Sequence, residues 1–201
     1  MLSDLEADLK ADLKADLNVQ PMTVPYGPVR LFCQDECRVG RMPITRRRIT
    51  LPGVKPVQTA EPAYEYFYLY GAVEPETGQR FFTEHERLNS ECFQIYLDGF
   101  AQAFPHSQNV MILDNGRFHT ASRLVVPPNV HLVFLPPYSP ELNPIERVWQ
   151  HLKDALGFAF YPTLADLRQR TRQVVTSWSD EVLASLTGQD YLLDAAHALS
   201  I

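Results

Sequence analysis

The chain has 201 residues, 45% hydrophobic and 21% charged, which suits one well-filled globular core and is short for two. It has no run of about 18 apolar residues, and its first ten residues lack the basic start and apolar stretch of a signal peptide. We therefore expect a cytoplasmic protein with no membrane partner. Three cysteines without CxxC spacing favour free buried thiols over disulfides or a structural zinc site; they are Cys33, Cys37 and Cys92.

The charge is unevenly distributed along the chain. The net charge of −6 and the isoelectric point of about 5.5 argue, by themselves, against a nucleic-acid partner. Residues 37–60, however, contain basic residues and no acidic one, and 46–53 within them predict a basic loop or hairpin. Such a block predicts a surface for phosphates, with a solvated basic loop as the alternative. Its basic residues are Arg38, Arg41, Arg46, Arg47, Arg48 and Lys55.

The first 28 residues predict an amphipathic helix and a linker. Residues 3–17 are a near-repeat of four residues that keeps its leucines on one helical face. Residues 18–28 break that helix with prolines and a glycine.

The next part of the chain predicts an antiparallel meander followed by a helix. Residues 29–34 predict a strand that ends at Asp35, and residues 65–74 and 79–84 predict two more strands around the turn PETG. Residues 89–104 have apolar positions at helical spacing.

The second half predicts parallel strands and helices. Two short apolar strands at 109–114 and 130–135, with a short helix near 119–126 between them, indicate a parallel pair. A further helix is predicted from Asn143, with Asn143 as N-cap, Pro144 at the first helical position and Glu146 completing a capping box.

The C-terminal region is predicted to be helical. Residues 162–178 predict a helix with Thr163 as N-cap and Asp166 three residues later, and the last twenty residues also look helical. Together the patterns predict an α/β fold: a mixed five-stranded sheet, three antiparallel then two parallel strands, flanked by helices. The main domain is expected at 29–160, with helices of 161–201 packed on it.

Three carboxylates are candidates for chemistry. Functional groups gather at the carboxyl ends of strands in such sheets, where Asp35 and Asp114 are expected, and the stiff proline turn before Glu146 would hold it over them. Neighbouring carboxylates repel unless a cation compensates, and all-oxygen ligands suit Mg²⁺ or Mn²⁺. Three of them would complete a site for two ions roughly 3.5–4 Å apart, suited to phosphodiester cleavage. The alternatives are local roles: strand-end or turn residues for the aspartates and a cap for Glu146.

Two motifs carry a family resemblance. The segments LDNGRFHTA (113–121) and HLVFLPPYSPELNPIERVWQHLK (131–153) resemble the core of DDE-type transposases of bacterial insertion sequences related to the mariner superfamily. FCQDECRVG, LYGAVEPETG and ECFQIYLDGF fit the same family. The resemblance implies a ribonuclease H-like catalytic domain, the catalytic and metal-binding triad Asp35, Asp114 and Glu146, and two Mg²⁺ or Mn²⁺ ions. The implied reaction is cleavage at transposon ends and strand transfer into target DNA.

The resemblance also implies partners. Double-stranded DNA is expected to contact Arg41, Arg46, Arg47 and Arg48, and a homodimer is expected on the DNA. Asn115 and His119 follow Asp114 in the family's D-N-x-x-x-H pattern. His119 is expected to contact a phosphate, to orient a ligand, or only to begin a helix.

The front of the chain departs from the family. Full-length members carry a helix-turn-helix DNA-binding region, whereas the residues before the first strand have room for one helix. We therefore expect a catalytic half: a truncated element, a separate reading frame or an isolated domain. The alternatives to an active transposase are a regulatory remnant that binds DNA or an intact transposase, and a host nuclease of ribonuclease H type.

Overall fold

A mixed five-stranded sheet forms the centre of the protein. The computed structural model describes residues 27–42, 51, 53, 63–136, 139–157 and 159–199. The strands lie in the order β3-β2-β1-β4-β5; β1, β2 and β3 pair antiparallel, whereas β4 pairs parallel with β1 and with β5. This confirms the predicted sheet. The strands are β1 (Val29–Gly40), β2 (Tyr66–Val73), β3 (Arg80–His85), β4 (Gln108–Leu113) and β5 (Val130–Phe134).

Helices cover both faces of the sheet. Because side chains alternate along a strand, the apolar strands supply two cores. One face packs on α1 through an aromatic cluster that includes Phe32, Tyr96 and Phe100. The other face packs on α2–α5 around Ile112 and Trp149. The helices are α1 (Ser90–Ala103), α2 (Ile145–Leu156), α3 (Leu164–Ser177), α4 (Asp180–Thr187) and α5 (Asp190–Leu199).

The first strand is longer than its sequence pattern predicts. β4 pairs with Val29 to Cys33, but β2 pairs with the stretch from Cys33 to Gly40, so β1 continues where β4 ends. The expectation that Asp35 ends the strand is therefore wrong, since it lies in the middle of β1.

The connection between β4 and β5 contains turns and no helix, so the helix predicted near 119–126 is also wrong. The Asp114 carboxylate accepts from the Gly116 backbone N–H, and the His119 N–H donates to the Gly116 carbonyl, which closes a tight turn. Pro127 and Pro128 follow, and a proline disfavours helical backbone at the residue before it.

The two predicted capping boxes have different outcomes. At α3, Thr163 and Asp166 form the capping box, as predicted. At α2 no side chain caps the helix, and Pro144 occupies the N-cap position with helical dihedrals. The Asn143 amide nitrogen instead donates to the Gln34 backbone carbonyl at 2.8 Å, and the buried Oδ1, which is the atom that would cap the helix, has no hydrogen-bond partner among the described residues.

Several other expectations concern single regions. Cys33, Cys37 and Cys92 are free thiols, as predicted; Cys33 and Cys37 are also buried as predicted, whereas Cys92 is only half-buried. The predicted helix at 3–17 and residues Arg46, Arg47 and Arg48 lie outside the described residues. In the described ranges, no helix has the length and apolar character needed to cross a membrane. The division of the chain at residue 160 stays a prediction.

Candidate active site

Asp35 and Asp114 lie at the same level of two neighbouring strands. β1 and β4 are adjacent and parallel, as expected, and their last register pair joins Cys33 to Ile112. Asp35 lies two residues after Cys33, and Asp114 lies two residues after Ile112. By strand alternation, Asp35 shares the face of β1 with the buried Cys33 and Cys37, which is the face that packs on α2.

Asp35 is held by a tryptophan and surrounded by negative charge. Its Oδ2 atom accepts a hydrogen bond from Trp149 Nε1 at 2.8 Å. Desolvation raises the pKa of Asp35 to about 8, and the carboxylates of Glu36 and Glu146 contribute to the rise. Glu146 lies in the first turn of α2, where its side chain is exposed. Its charge raises the pKa of Asp35, so α2 places Glu146 within electrostatic range of that carboxylate.

Asp114 is oriented by its own loop. Its side chain is 64% exposed, and Oδ1 lies 2.9 Å from both the Gly116 backbone nitrogen and His119 Nδ1. The hydrogen bond from His119 lowers the pKa of Asp114, and the bond from Gly116 acts in the same direction. A β-carbon at Gly116 would lie 3.1 Å from Asp114 Oδ1 and from His119 Nδ1, so this loop is closely packed around the carboxylate.

His119 joins Asp114 to a further acid, Glu36. The side chains of His119 and Glu36 are 1% and 5% exposed, and His119 Nε2 lies 3.1 Å from Glu36 Oε1. Burial alone would lower the pKa of His119, but the bonds to Asp114 and Glu36 outweigh it and raise that pKa to about 9. Both partners thus favour the protonated form of His119, which can donate from Nδ1 to Asp114 and from Nε2 to Glu36.

Glu36 is a further residue of the site, and it was not among the residues predicted from the sequence. It directly follows Asp35, and consecutive strand residues point to opposite faces of the sheet. A prediction that places all site residues on the face of Asp35 therefore leaves Glu36 out. The available signal was an acidic residue inside an apolar strand, because such a residue needs a buried partner.

Two further predicted site residues, Asn115 and Arg41, form contacts within the protein. The Asn115 side chain donates to the Leu135 carbonyl at 3.4 Å, which connects the end of β4 to the end of β5. The guanidinium of Arg41 forms an ion pair with Glu65 and donates to the Tyr161 carbonyl, and its side chain is 12% exposed. The Arg41 side chain is thus bound to Glu65 and to the Tyr161 carbonyl, at the N-terminal end of the basic block.

The donor set suits a hard divalent cation. Asp35, Asp114 and Glu146 offer only oxygen ligands, which favours Mg²⁺ or Mn²⁺ over zinc. A cation would also offset the repulsion that Glu36 and Glu146 exert on Asp35. Over the described part of the chain, no three His, Cys, Asp or Glu side chains already stand together as a metal-binding group. The three carboxylates therefore have the ligand type that Mg²⁺ or Mn²⁺ prefers, and the two aspartates follow one register pair of neighbouring strands. Their side chains do not yet converge on one coordination site.

Solved structures share this fold. A Mos1 transposase paired-end complex with the left transposon end matches with a TM-score of 0.63 and 16% identity, over 98% of this chain and 61% of that one. A pre-cleavage Mos1 transpososome matches with a TM-score of 0.64 and 15% identity, over 98% of this chain and 63% of that one. The fold is thus ribonuclease H-like, as the resemblance implied.

Sequence comparison adds a relative and a family. An uncharacterized protein, y4pE/y4sA of Sinorhizobium fredii (strain NBRC 101917 / NGR234), is 39% identical over 88 residues, which are 43% of this chain and 65% of that protein. The chain thus spans less than two thirds of this relative and of the Mos1 chains. The family model described as DDE superfamily endonuclease matches residues 30–168. Since that match covers more than half of the chain, the protein belongs to the DDE superfamily endonuclease family.

Proposed function

We propose that this chain is the catalytic domain of a metal-dependent DNA transposase, which cleaves phosphodiester bonds at transposon ends and transfers strands into target DNA. The observation that carries the proposal is the placement of Asp35 and Asp114 two residues beyond one register pair of parallel strands, with Glu146 within electrostatic range of Asp35. The names of the similar Mos1 structures support the substrate class, because they describe complexes with a transposon end and a strand transfer complex.

In this proposal, Asp35, Asp114 and Glu146 hold the cation pair. Two Mos1 structures are named as complexes with Mn and with Mg, which supports those ions here. Bound Mg²⁺ or Mn²⁺ would supply Lewis acidity to a nucleophilic water or 3′-hydroxyl and would stabilise the leaving oxygen. His119 and Gly116 fix one oxygen of Asp114, and Trp149 fixes one oxygen of Asp35, so the chain sets the direction of both carboxylates before a substrate arrives.

Double-stranded DNA is the proposed partner. Arg46, Arg47 and Arg48 are proposed to contact its phosphates, with Arg41 at the base of the same block. The proposal includes a helix-turn-helix region, supplied by another part of the protein or by another chain, and a homodimer on the DNA.

A metal titration tests the proposed site. Mn²⁺ is titrated into the wild-type chain and into the Asp114→Ala variant, and binding is followed by calorimetry. We expect the variant to lose most of the binding, because one of three oxygen donors is removed. The exposed Asp98→Asn substitution on α1 is a matched control and should bind as the wild type does. Equal affinity in wild type and Asp114→Ala would refute the site.

A further inference from the structure

We propose that Trp149 is a positioning residue for Asp35, and that its indole, seated in a gap left open by Gly71, holds the Asp35 carboxylate beside the helical turn that carries Glu146. The inference rests on the proposed function, in which Asp35 and Glu146 are metal ligands. It adds two residues, Trp149 and Gly71, whose proposed effect is exerted through Asp35.

The first step is the hydrogen bond itself. Trp149 is 1% exposed, and its Nε1 lies 2.8 Å from Asp35 Oδ2. An indole N–H is only a donor, so a buried tryptophan needs an acceptor within reach. Here the acceptor is a carboxylate, which makes the bond charge-assisted and directional whenever Asp35 is ionised. The indole therefore fixes one oxygen of Asp35.

The second step is the space that the indole occupies. In the antiparallel pairing of β1 and β2, Gly71 is the register partner of Asp35. A β-carbon at Gly71 would lie 2.5 Å from the Trp149 ring carbon Cη2 and 2.6 Å from two ring carbons of Phe82. Gly71 has no positive φ, so its backbone does not require glycine. What requires glycine is the room for the Trp149 indole and the Phe82 ring that packs on it, across the strand from Asp35.

The third step is the position of Trp149 on α2. It follows Glu146 by three residues, so the two lie on neighbouring positions of one helical face. Packing of the Trp149 ring on Phe82, with centroids 5.8 Å apart, holds this part of α2 on the sheet. One helical turn thus carries both a proposed ligand and the group that orients another.

The alternative role for Trp149 is simple core filling. A core-filling indole would be indifferent to the Asp35 side chain, and its replacement by phenylalanine would leave metal binding unchanged. A positioning indole would be sensitive to Asp35 and would be required for full metal affinity. These two expectations can be separated without measuring DNA cleavage.

Nuclear magnetic resonance tests the hydrogen bond in the 201-residue chain. The protein has two tryptophans, so the ¹H–¹⁵N spectrum has two indole signals, and Trp178→Phe assigns them. We expect Asp35→Ala to shift the Trp149 signal upfield and to leave the Trp178 signal in place. We also expect MnCl₂ to broaden the Trp149 signal at a lower concentration than the Trp178 signal. An unchanged chemical shift of the Trp149 indole signal in Asp35→Ala would overturn the proposal.

Metal affinity tests the positioning role. Trp149→Phe and Gly71→Ala should each weaken Mn²⁺ binding about tenfold, the lower end of the effect of removing a group that orients a metal ligand. Trp178→Phe, in the same hydrophobic cluster, and Gly99→Ala, under the opposite face of the sheet, are the matched controls and should keep wild-type affinity. Wild-type affinity in both Trp149→Phe and Gly71→Ala would overturn the proposal.

The two measurements distinguish a failure of this inference from a failure of the proposed function. If the proposed function is wrong, the wild-type chain itself binds no Mn²⁺. The Trp149 signal in Asp35→Ala decides about the hydrogen bond whatever the titration gives, and it requires no Trp149 variant to fold.

Discussion

Asn143 donates its side-chain amide to the backbone carbonyl of Gln34 across 2.8 Å, and so fastens the proline-rich turn to β1 one residue before Asp35. Both residues are buried. The turn that leads to Glu146 is therefore attached to the strand that carries Asp35. Asn143 thus serves as a tertiary attachment to β1 and not as the helix cap that the local sequence predicts.

The first prediction concerns this attachment. Asn143→Ala should lower the free energy of unfolding by about 1–3 kcal/mol, because the buried Gln34 carbonyl loses a donor. Urea unfolding measures the loss. Thr163→Ala, which removes a true N-cap at α3, should cost about 1 kcal/mol and calibrates the comparison. We further expect Asn143→Ala to slow DNA nicking and Thr163→Ala to leave it unchanged; equal nicking rates would mean that the attachment is structural only.

The second prediction concerns Glu146. Since Glu146 caps nothing in the structure, Glu146→Gln should keep the thermal midpoint within a few degrees of the wild type. A metal ligand needs its negative charge, so Mn²⁺-dependent nicking of a supercoiled plasmid should fall by orders of magnitude. Glu141→Gln, in the 3₁₀ turn just before α2, is the control. If Glu146→Gln nicks at the wild-type rate while Glu141→Gln does not, Glu141 is the third ligand.

The third prediction concerns the basic block. Replacing Arg46, Arg47 and Arg48 with alanine should weaken binding to unrelated duplexes equally and flatten the salt dependence by about one unit of slope per lost phosphate contact. Fluorescence anisotropy over a range of KCl concentrations measures both effects. Arg172→Ala, whose guanidinium is paired with Glu84 on the surface, should change neither. A loss limited to one DNA sequence would show that the block reads bases.

The fourth prediction concerns the buried acid that sequence reasoning missed. Glu36→Gln keeps the shape of the side chain but replaces a charge-assisted acceptor of His119 with a weaker one. The hydrogen bond from His119 to Asp114 should weaken, so Asp114 is less well oriented. We therefore expect about a tenfold fall in nicking rate with little change in DNA affinity. His119→Asn should produce a fall of similar or larger size. A wild-type rate in both variants would leave the His119 bridge without a part in catalysis.

Local sequence patterns determined much of the architecture. Alternation and short apolar runs predicted all five strands, because burial on one or two faces of a sheet imposes those patterns wherever the strand lies. The capping box at Thr163 was also predictable, since its partners are three residues apart. Asp114 and Glu146 could be selected because each sits next to a recognisable strand end or helix start.

Only the tertiary structure decided how the site is held together. The Trp149–Asp35 bond spans 114 residues, the Asn143–Gln34 bond spans 109, and the His119–Glu36 bond spans 83. No local pattern encodes such pairs, because each depends on which strands become neighbours and which face each side chain takes. Asn143 shows the consequence most clearly: its sequence context predicts a cap, yet its Nδ2 donates to the Gln34 carbonyl on a distant strand, and its Oδ1, the atom a cap would use, meets no donor among the described residues. That distant contact sets the direction of the side chain, because a buried backbone carbonyl left without a donor costs about 1–3 kcal/mol.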